Sequence, residues 1–299
     1  MSQLTLVILA AGAATRYGGG KQTDTFGPSG ESIMEYSIYD AIKAGFTKVV
    51  FVIKEESYNQ FKEVFAPKLH GKIEVDFAFQ TPRFPEVLLS ITTSRTKPWG
   101  TGHAIYSAVS KVSSPFAVIN ADDFYGREAF ENMAKFLLQT KGANFSMVGY
   151  RLKNTLSDFG SVSRARCKVD AHNKLIDIKE FTKISKQADG SLTANEPDPV
   201  ALTMEDLVSM NLWGFTTDVF ELFNEKFNAF LEDKSNLETK EFYIAEPVQK
   251  LISEKKITVE VIPTSTQWFG VTYKEEKPFV VESIRKLVDQ KVYPDNLWK

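Results

Sequence analysis

Apolar residues run almost unbroken through residues 4–9, 49–53 and 116–119, three short stretches rich in Val, Ile and Leu. Stretches of that length with no polar face predict strands covered by helices on both sides, as in a mostly parallel sheet. Between them, residues 33–44 and 103–109 place apolar side chains at helical spacing, and 73–79 alternates as a strand with one more solvated face. A helix is predicted over 128–138. The alternation of strand and helix implies crossover connections.

Beyond residue 144 the pattern changes. Shorter strands are predicted at 145–151, 162–165, 174–178 and 209–215, followed by helices at 218–231 and 242–253. Residues 185–200 are polar, with Asp189-Gly190 and Glu196-Pro197-Asp198-Pro199, and read as an exposed loop or flap. They do not form a domain linker, because the strands before them need partners after them. A strand at 258–262, a short strand near Trp268 and a closing helix over 278–290 complete the reading. The second half therefore extends the sheet of the first and adds a lobe. No internal repeat or low-complexity tract is present.

Composition narrows the chemistry. In 299 residues, 36 Lys and Arg oppose 38 Asp and Glu, a net charge of -2 that offers no basic field for nucleic acid or an anionic membrane. The single Cys excludes an intramolecular disulfide, and with 3 His no Cys/His zinc cluster can be built. Any metal must sit on carboxylate oxygens. The apolar start of the chain lacks the basic leader of an export signal, and no run approaches the roughly 20 apolar residues of a membrane span. A cytoplasmic protein is expected.

The most informative segment is Leu9-Ala10-Ala11-Gly12-Ala13-Ala14-Thr15-Arg16-Tyr17-Gly18-Gly19-Gly20-Lys21-Gln22, directly after the first buried strand. Small residues let backbone N–H groups approach a phosphate closely, and Arg16 and Lys21 supply charge to neutralise a triphosphate. The spacing fits neither a Walker A loop nor a dinucleotide fingerprint. A solvated loop with two surface cations is the alternative; its place at a strand's carboxyl end favours the ligand. A second segment, Asn120-Ala121-Asp122-Asp123-Phe124-Tyr125-Gly126, puts two acids after the third apolar strand. Their direct explanation is a hard divalent cation such as Mg2+ shared with phosphate oxygens, the alternative being a cap on the following helix. Third, Lys97-Pro98-Trp99-Gly100-Thr101-Gly102-His103-Ala104 opens a helix, with Thr101 as the expected N-cap.

Together these segments resemble the sugar-1-phosphate nucleotidyltransferases, the nucleotide-sugar pyrophosphorylases. The first is similar to their A-G-G-x-G-T-R signature, with Ala13-Ala14 in place of x-Gly and a shorter Arg-to-Lys spacing. The second resembles L-G-D-x-x-x-G, and the third P-x-G-T-A/G-x-A. The resemblance implies a Rossmann-like α/β fold, a mixed and mostly parallel sheet flanked by helices with an added sugar-binding lobe. It implies one domain over 1–299, with a nucleotide-binding half at 1–143 and a sugar-binding half and C-terminal helix at 144–299.

Residue by residue, the resemblance implies that Ala11, Gly12 and Ala13 wrap the triphosphate while Arg16 and Lys21 meet its phosphates. Asp122 falls at the metal-binding Asp, Gly100 and Thr101 at the base and ribose contacts, and Gln80 where many members read a pyrimidine edge. Phe159-Gly160-Ser161-Val162 resembles Tyr-Gly-Val-Val, placing Gly160 at the sugar. Lys179-Glu180-Phe181-Thr182-Lys183 resembles Glu-Glu-Lys-Pro, placing Glu180 on a sugar hydroxyl. There Phe181 stands where the family has Lys, leaving Lys183 to supply the cation. Asn211 lies on the strand beside the sugar pocket. His103 reads as a helix-start residue and not as a general base.

The largest departure is in Gln267-Trp268-Phe269-Gly270-Val271-Thr272-Tyr273, where Gly270 occupies the position of the Asp in W-x-D-x-G-T, the second metal carboxylate. Three readings stand: Asp122 with phosphates and water holds the metal, Glu275 or Glu276 reaches in, or catalysis is compromised. The implied reaction is Mg2+-dependent transfer from an NTP to a sugar-1-phosphate, with no nucleic-acid or membrane partner. The near-neutral charge and 23 Phe are compatible with a homo-oligomer. The alternatives are a cytidylyltransferase for a non-sugar phosphate such as phosphocholine, a regulatory nucleotide-sugar-binding module without turnover, and a glycosyltransferase.

Overall fold

A computed structural model describes residues 3–12, 24–81, 95, 97–187, 189–195, 202–271 and 273–299. The predicted strands of the first half form four parallel strands: β1 (Thr5–Leu9), β2 (Lys48–Ile53), β3 (Glu74–Phe79) and β4 (Phe116–Asn120). They lie in the order β3-β2-β1-β4, with β1 between β2 and β4. Alternate side chains explain why β1 is apolar throughout. Leu6 and Ile8 enter the core on one face of the sheet and Val7 the core on the other.

The crossovers are α1 (Ile33–Ala44), α2 (Tyr58–Leu69) and α3 (Thr101–Ser107). A Ser32–Glu35 capping box starts α1, and Gly45, left-handed at φ 99°, ends it. The sequence reading did not include α2. Its buried side chains, Phe61, Phe65 and Leu69, recur every fourth residue, and the Phe65 ring lies 5.1 Å from that of Phe51 on β2. Helix α3 begins two residues earlier than predicted, with Gly100 and not Thr101 at its N-cap.

The second half adds α4 (Arg127–Leu137), β6 (Asn144–Arg151), β7 (Val162–Val169), β8 (Leu175–Lys186), β9 (Leu192–Thr193) and β10 (Leu207–Phe215). Helices α5 (Asp218–Glu232) and α6 (Ala245–Ser253), strand β11 (Thr258–Pro263) and helix α7 (Lys277–Asp289) follow. The same sheet continues through β10, β7, β8 and β9, mostly antiparallel, as the expected mixed sheet does. Strands β7 and β8 run well past the predicted 165 and 178. Part of the predicted flap, with Asp189-Gly190 at its turn, is a β8–β9 hairpin pairing Ser185 with Thr193.

The position of the site follows from how β10 pairs. One of its edges is taken by β6 along its length, from Leu207↔Arg151 to Gly214↔Ser146. The other edge is divided: residues 207–209 pair with β7 and 213–215 with β4. Between the two pairings the register slips, and Asn211 takes a left-handed backbone at φ 63°, which Asn tolerates better than most residues. Strands β4 and β7 therefore fork apart at Asn211, and the fork opens a cleft at the carboxyl end of β4.

The C-terminal segment closes over α1. The Tyr293 hydroxyl donates to buried Asp40 Oδ2, and Trp298 Nε1 donates to Glu35 Oε1 at 2.6 Å. Among the described residues, no helix is long and apolar enough to cross a membrane.

Candidate functional site

β1 delivers the chain to the cleft through buried Ala10 and Ala11 and exposed Gly12. The Leu9 carbonyl accepts the Ala121 N–H at 3.2 Å, so the start of this loop lies beside the turn at 120–123. Ala13, Arg16 and Lys21 lie outside the described residues. In the turn, Asp122 is half-buried and Asp123 is 7% exposed. Asn120 Nδ2 donates to Asp123 Oδ2 at 2.8 Å, and buried Tyr125 donates its hydroxyl to the Met210 carbonyl while accepting the Asn120 N–H. Asp123 is not a helix cap: Gly126 caps α4. Instead Asp123 lies in β5 (Asp123–Phe124), which pairs antiparallel with β12 (Phe269–Gly270), setting Asp123 opposite Gly270. A Cβ on Gly270 would stand 2.5 Å from Asp123 Oδ1. Glu275 is exposed, and Glu276 accepts the Tyr273 N–H at the start of the C-terminal helix; neither lines the cleft.

Asp122 and Asp123 share a cleft of about 190 Å3 with Ser163, Arg164, Glu180, Ser209, Asn211 and Trp268. Asn211 Nδ2 lies 3.4 Å from Asn120 Oδ1, which links the strand fork to the acid turn. Past Glu180, Ser209 and Asn211 the cleft continues into a second hollow of about 120 Å3, reaching Thr101, Trp213 and Tyr243. Glu180 and Asn211, predicted at the sugar, thus lie with the predicted metal carboxylate. Gly160 and Lys183 are not on these walls: Lys183 is exposed, with φ 53°, and a Cβ on Gly160 would meet the Tyr273 hydroxyl at 2.5 Å.

Gln80, Gly100 and Thr101 form a connected set. Gln80, 6% exposed, donates Nε2 to the Gly100 carbonyl at 2.9 Å, and Thr101 Oγ1 accepts the Ile244 N–H. Gly100, with φ 96°, is needed for packing, since a Cβ there would stand 2.8 Å from the Phe242 carbonyl oxygen. His103 is buried, and burial together with the Arg95 guanidinium pushes its pKa down to about 4. It stays neutral as a packing residue against Phe227. Sequence reading missed Arg164, Ser209 and Tyr243, which no motif flags.

Glu180 makes one pH-dependent prediction. Burial pushes its pKa from 4.5 up to about 7, with the Arg164 guanidinium pulling the other way. The stability linked to its protonated form is full below pH 4.5 and is lost as pH rises through about 7. Glu180→Gln removes that loss, on the order of 3 kcal/mol at alkaline pH. Its melting temperature relative to wild type should rise between about pH 5 and pH 8.5. Parallel melting curves for the two proteins across this range would show that the carboxyl is solvated.

The family described as nucleotidyl transferase matches residues 5–271. Comparison with curated proteins finds no match. Among solved structures, a Bacillus anthracis protein assigned as a glucose-1-phosphate thymidylyltransferase is similar, with a TM-score of 0.63 and 11% identity over 94% of this chain and 95% of that one. The inositol-1-phosphate CTP transferase of T. maritima has a TM-score of 0.62 and 14% identity over 97% and 98%. A UDP-glucose pyrophosphorylase bound to UDP-glucose has 0.60 and 14% over 96% and 99%. At these identities the structural likeness establishes the fold, and the match across 5–271 establishes the rest: the chain belongs to the nucleotidyl transferase family.

Proposed function

We propose that the protein transfers a nucleotidyl group from an NTP to a sugar-1-phosphate in the cytoplasm, giving a nucleotide sugar and pyrophosphate. One observation carries this reading. The acid pair Asp122 and Asp123 opens into the same cleft as Glu180 and Asn211, so a place suited to a metal-bound triphosphate adjoins one suited to a hydroxylated acceptor. Two of the similar structures, the glucose-1-phosphate thymidylyltransferase assignment and the UDP-glucose pyrophosphorylase, support it.

In this reaction an oxygen of the acceptor's phosphate attacks the α-phosphorus. The bond from that phosphorus to the oxygen leading to the β-phosphate breaks, and pyrophosphate leaves with the electron pair. No side-chain nucleophile is required, so the chain's contribution is positioning and charge neutralisation. Ala11, Gly12 and Ala13 would present backbone to the triphosphate, with Arg16 and Lys21 on its phosphates. Gln80, Gly100 and Thr101 would border the nucleoside, and Glu180 and Asn211 would bind acceptor hydroxyls, with Gly160 and Lys183 farther out. A single domain, with the nucleotide in 1–143 and the acceptor in 144–299, is part of this reading.

The donor set suits Mg2+, which takes carboxylate, phosphate and water oxygens. Asp122 and Asp123 would hold it. Among the described residues no group of three His, Cys, Asp or Glu is arranged around one point, and phosphate and water oxygens would complete the shell. Gly270 fits this set because its missing Cβ leaves room for Asp123 Oδ1. Bound there, Mg2+ would screen charge developing on the phosphates.

A second reading, transfer from CTP to a non-sugar phosphate, gains from the likeness to the inositol-1-phosphate CTP transferase. Pyrophosphate release with Mg2+, each NTP being tested against glucose-1-phosphate, inositol-1-phosphate and phosphocholine, separates the readings. Release with a sugar phosphate supports the first and release only with the others supports the second. Tight NTP binding without release from any pair would favour a regulatory module.

A further inference from the structure

Arg164 is 9% exposed, yet among the described residues no carboxylate lies within ion-pair distance of it. Its guanidinium rests on neutral acceptors: Nε on Thr155 Oγ1 at 3.2 Å, Nη1 on the Ser163 carbonyl at 2.7 Å and Nη2 on the Thr155 carbonyl at 2.5 Å. A guanidinium has five N–H donors, so these bonds leave one on each terminal nitrogen. The group lies over the Trp268 ring at 5.1 Å, and among the described residues the buried indole N–H of Trp268 has no acceptor. Both residues line the cleft. Asp123, Glu180 and Glu276 act on Arg164 only from farther away.

A buried cation without a direct counter-ion is costly unless an anion completes it. The spare donors of Arg164 therefore border a cleft that also holds the acid pair, Glu180 and Asn211. Position adds a second argument. Arg164 is registered across the β7–β8 ladder from Phe181, the very residue at which the motif comparison lacks a cation, whereas Lys183 is exposed and off the cleft wall. A guanidinium on the neighbouring strand reaches the cleft that Lys183 does not line.

We infer that Arg164 binds the phosphate of the acceptor, with the hydroxylated remainder lying along Glu180, Ser209 and Asn211. The inference rests on the transfer reading above and identifies the acceptor as a phosphate monoester of a compact polyol. Arginine suits this role because two parallel N–H groups can meet two phosphate oxygens. Held there, the phosphate shares one cleft with the acid pair, as attack on a nucleotide at the acid pair requires.

The test titrates the full chain with inorganic phosphate at constant ionic strength, following heat and the side-chain Nε–H resonance of Arg164. Wild type should bind with a shift of that resonance, Arg164→Gln should weaken phosphate binding about 10-fold or more, and Arg164→Lys should fall between them. NTP affinity should stay unchanged in both variants. Unchanged phosphate affinity in a folded variant, or an Nε–H resonance that phosphate does not move, would make Arg164 a strut between β7 and Thr155 and overturn the inference. A parallel fall in NTP affinity would assign the residue to the triphosphate and overturn it equally. The resonance readout needs no variant to fold. Failure of the transfer reading appears separately, as wild-type protein that binds NTP and phosphate but releases no pyrophosphate with any acceptor.

Discussion

Gly270→Asp is expected to inactivate the protein and weaken its fold, although it restores the acid that the family pattern carries at this position. The β5–β12 pairing sets residue 270 directly opposite Asp123, so their side chains share one face. A Cβ at 270 would stand 2.5 Å from Asp123 Oδ1 and 2.8 Å from the Trp268 ring. Neither can withdraw easily: Asp123 is tied to Asn120, and the Phe124 and Phe269 rings stack at 4.3 Å within the same pair of strands. Overpacking of this kind costs about 1–3 kcal/mol, and a second carboxylate adds like-charge repulsion in a half-closed site. Turnover should fall by about 100-fold or more, and the melting temperature should drop with it. The double variant Asp123→Gly/Gly270→Asp moves the carboxylate instead of adding one, and should recover most of the lost melting temperature and part of the Mn2+ affinity. A Gly270→Asp protein that melts and turns over like wild type would show that the two positions do not compete.

Asp122→Ala is expected to abolish nearly all turnover while leaving the fold intact. The residue is half-buried at the cleft rim, so its loss opens no core cavity. Removing charge that meets a bound metal and its phosphates should lower kcat by about 100- to 1000-fold. Asp123→Asn, of the same shape and able to keep an oxygen toward Asn120 Nδ2, should lose a similar factor, and both should weaken Mn2+ binding in the presence of NTP. Steady-state rates beside melting curves check this. Near-normal kcat in either variant would remove that acid from the chemistry.

The first half of the fold was legible because its strands are buried on both faces and announce themselves as β-branched runs. Helix α2 was not, since only Phe61, Phe65 and Leu69 mark its buried side among polar neighbours. The full length of strand β8 is hidden in the sequence because residues 179–183 carry two lysines, a glutamate and a threonine; in the sheet these alternate with buried Phe181 and Ile184. For the site, the motifs single out Asp122, Glu180 and Asn211, and the fold sets the three on one cleft. Arg164 was invisible to it, because its relation to Phe181 exists only across a strand pairing. The glycines teach a different lesson. Gly100, Gly160 and Gly270 each mark a close approach, and in each case the approaching group belongs to the chain itself: Phe242, Tyr273 and Asp123. A motif glycine tells that something comes near and leaves the partner to the fold.

Nucleotidyl transfer is tested most directly by a 31P NMR record of the protein with Mg2+, one NTP and one sugar-1-phosphate. The three triphosphate signals and the phosphate monoester signal should decline together. Pyrophosphate and the paired signals of a diphosphate diester should replace them in equal amounts. Orthophosphate with nucleoside diphosphate, or a monoester signal that persists while the triphosphate is consumed, would contradict nucleotidyl transfer and mark the cleft as the site of a different reaction.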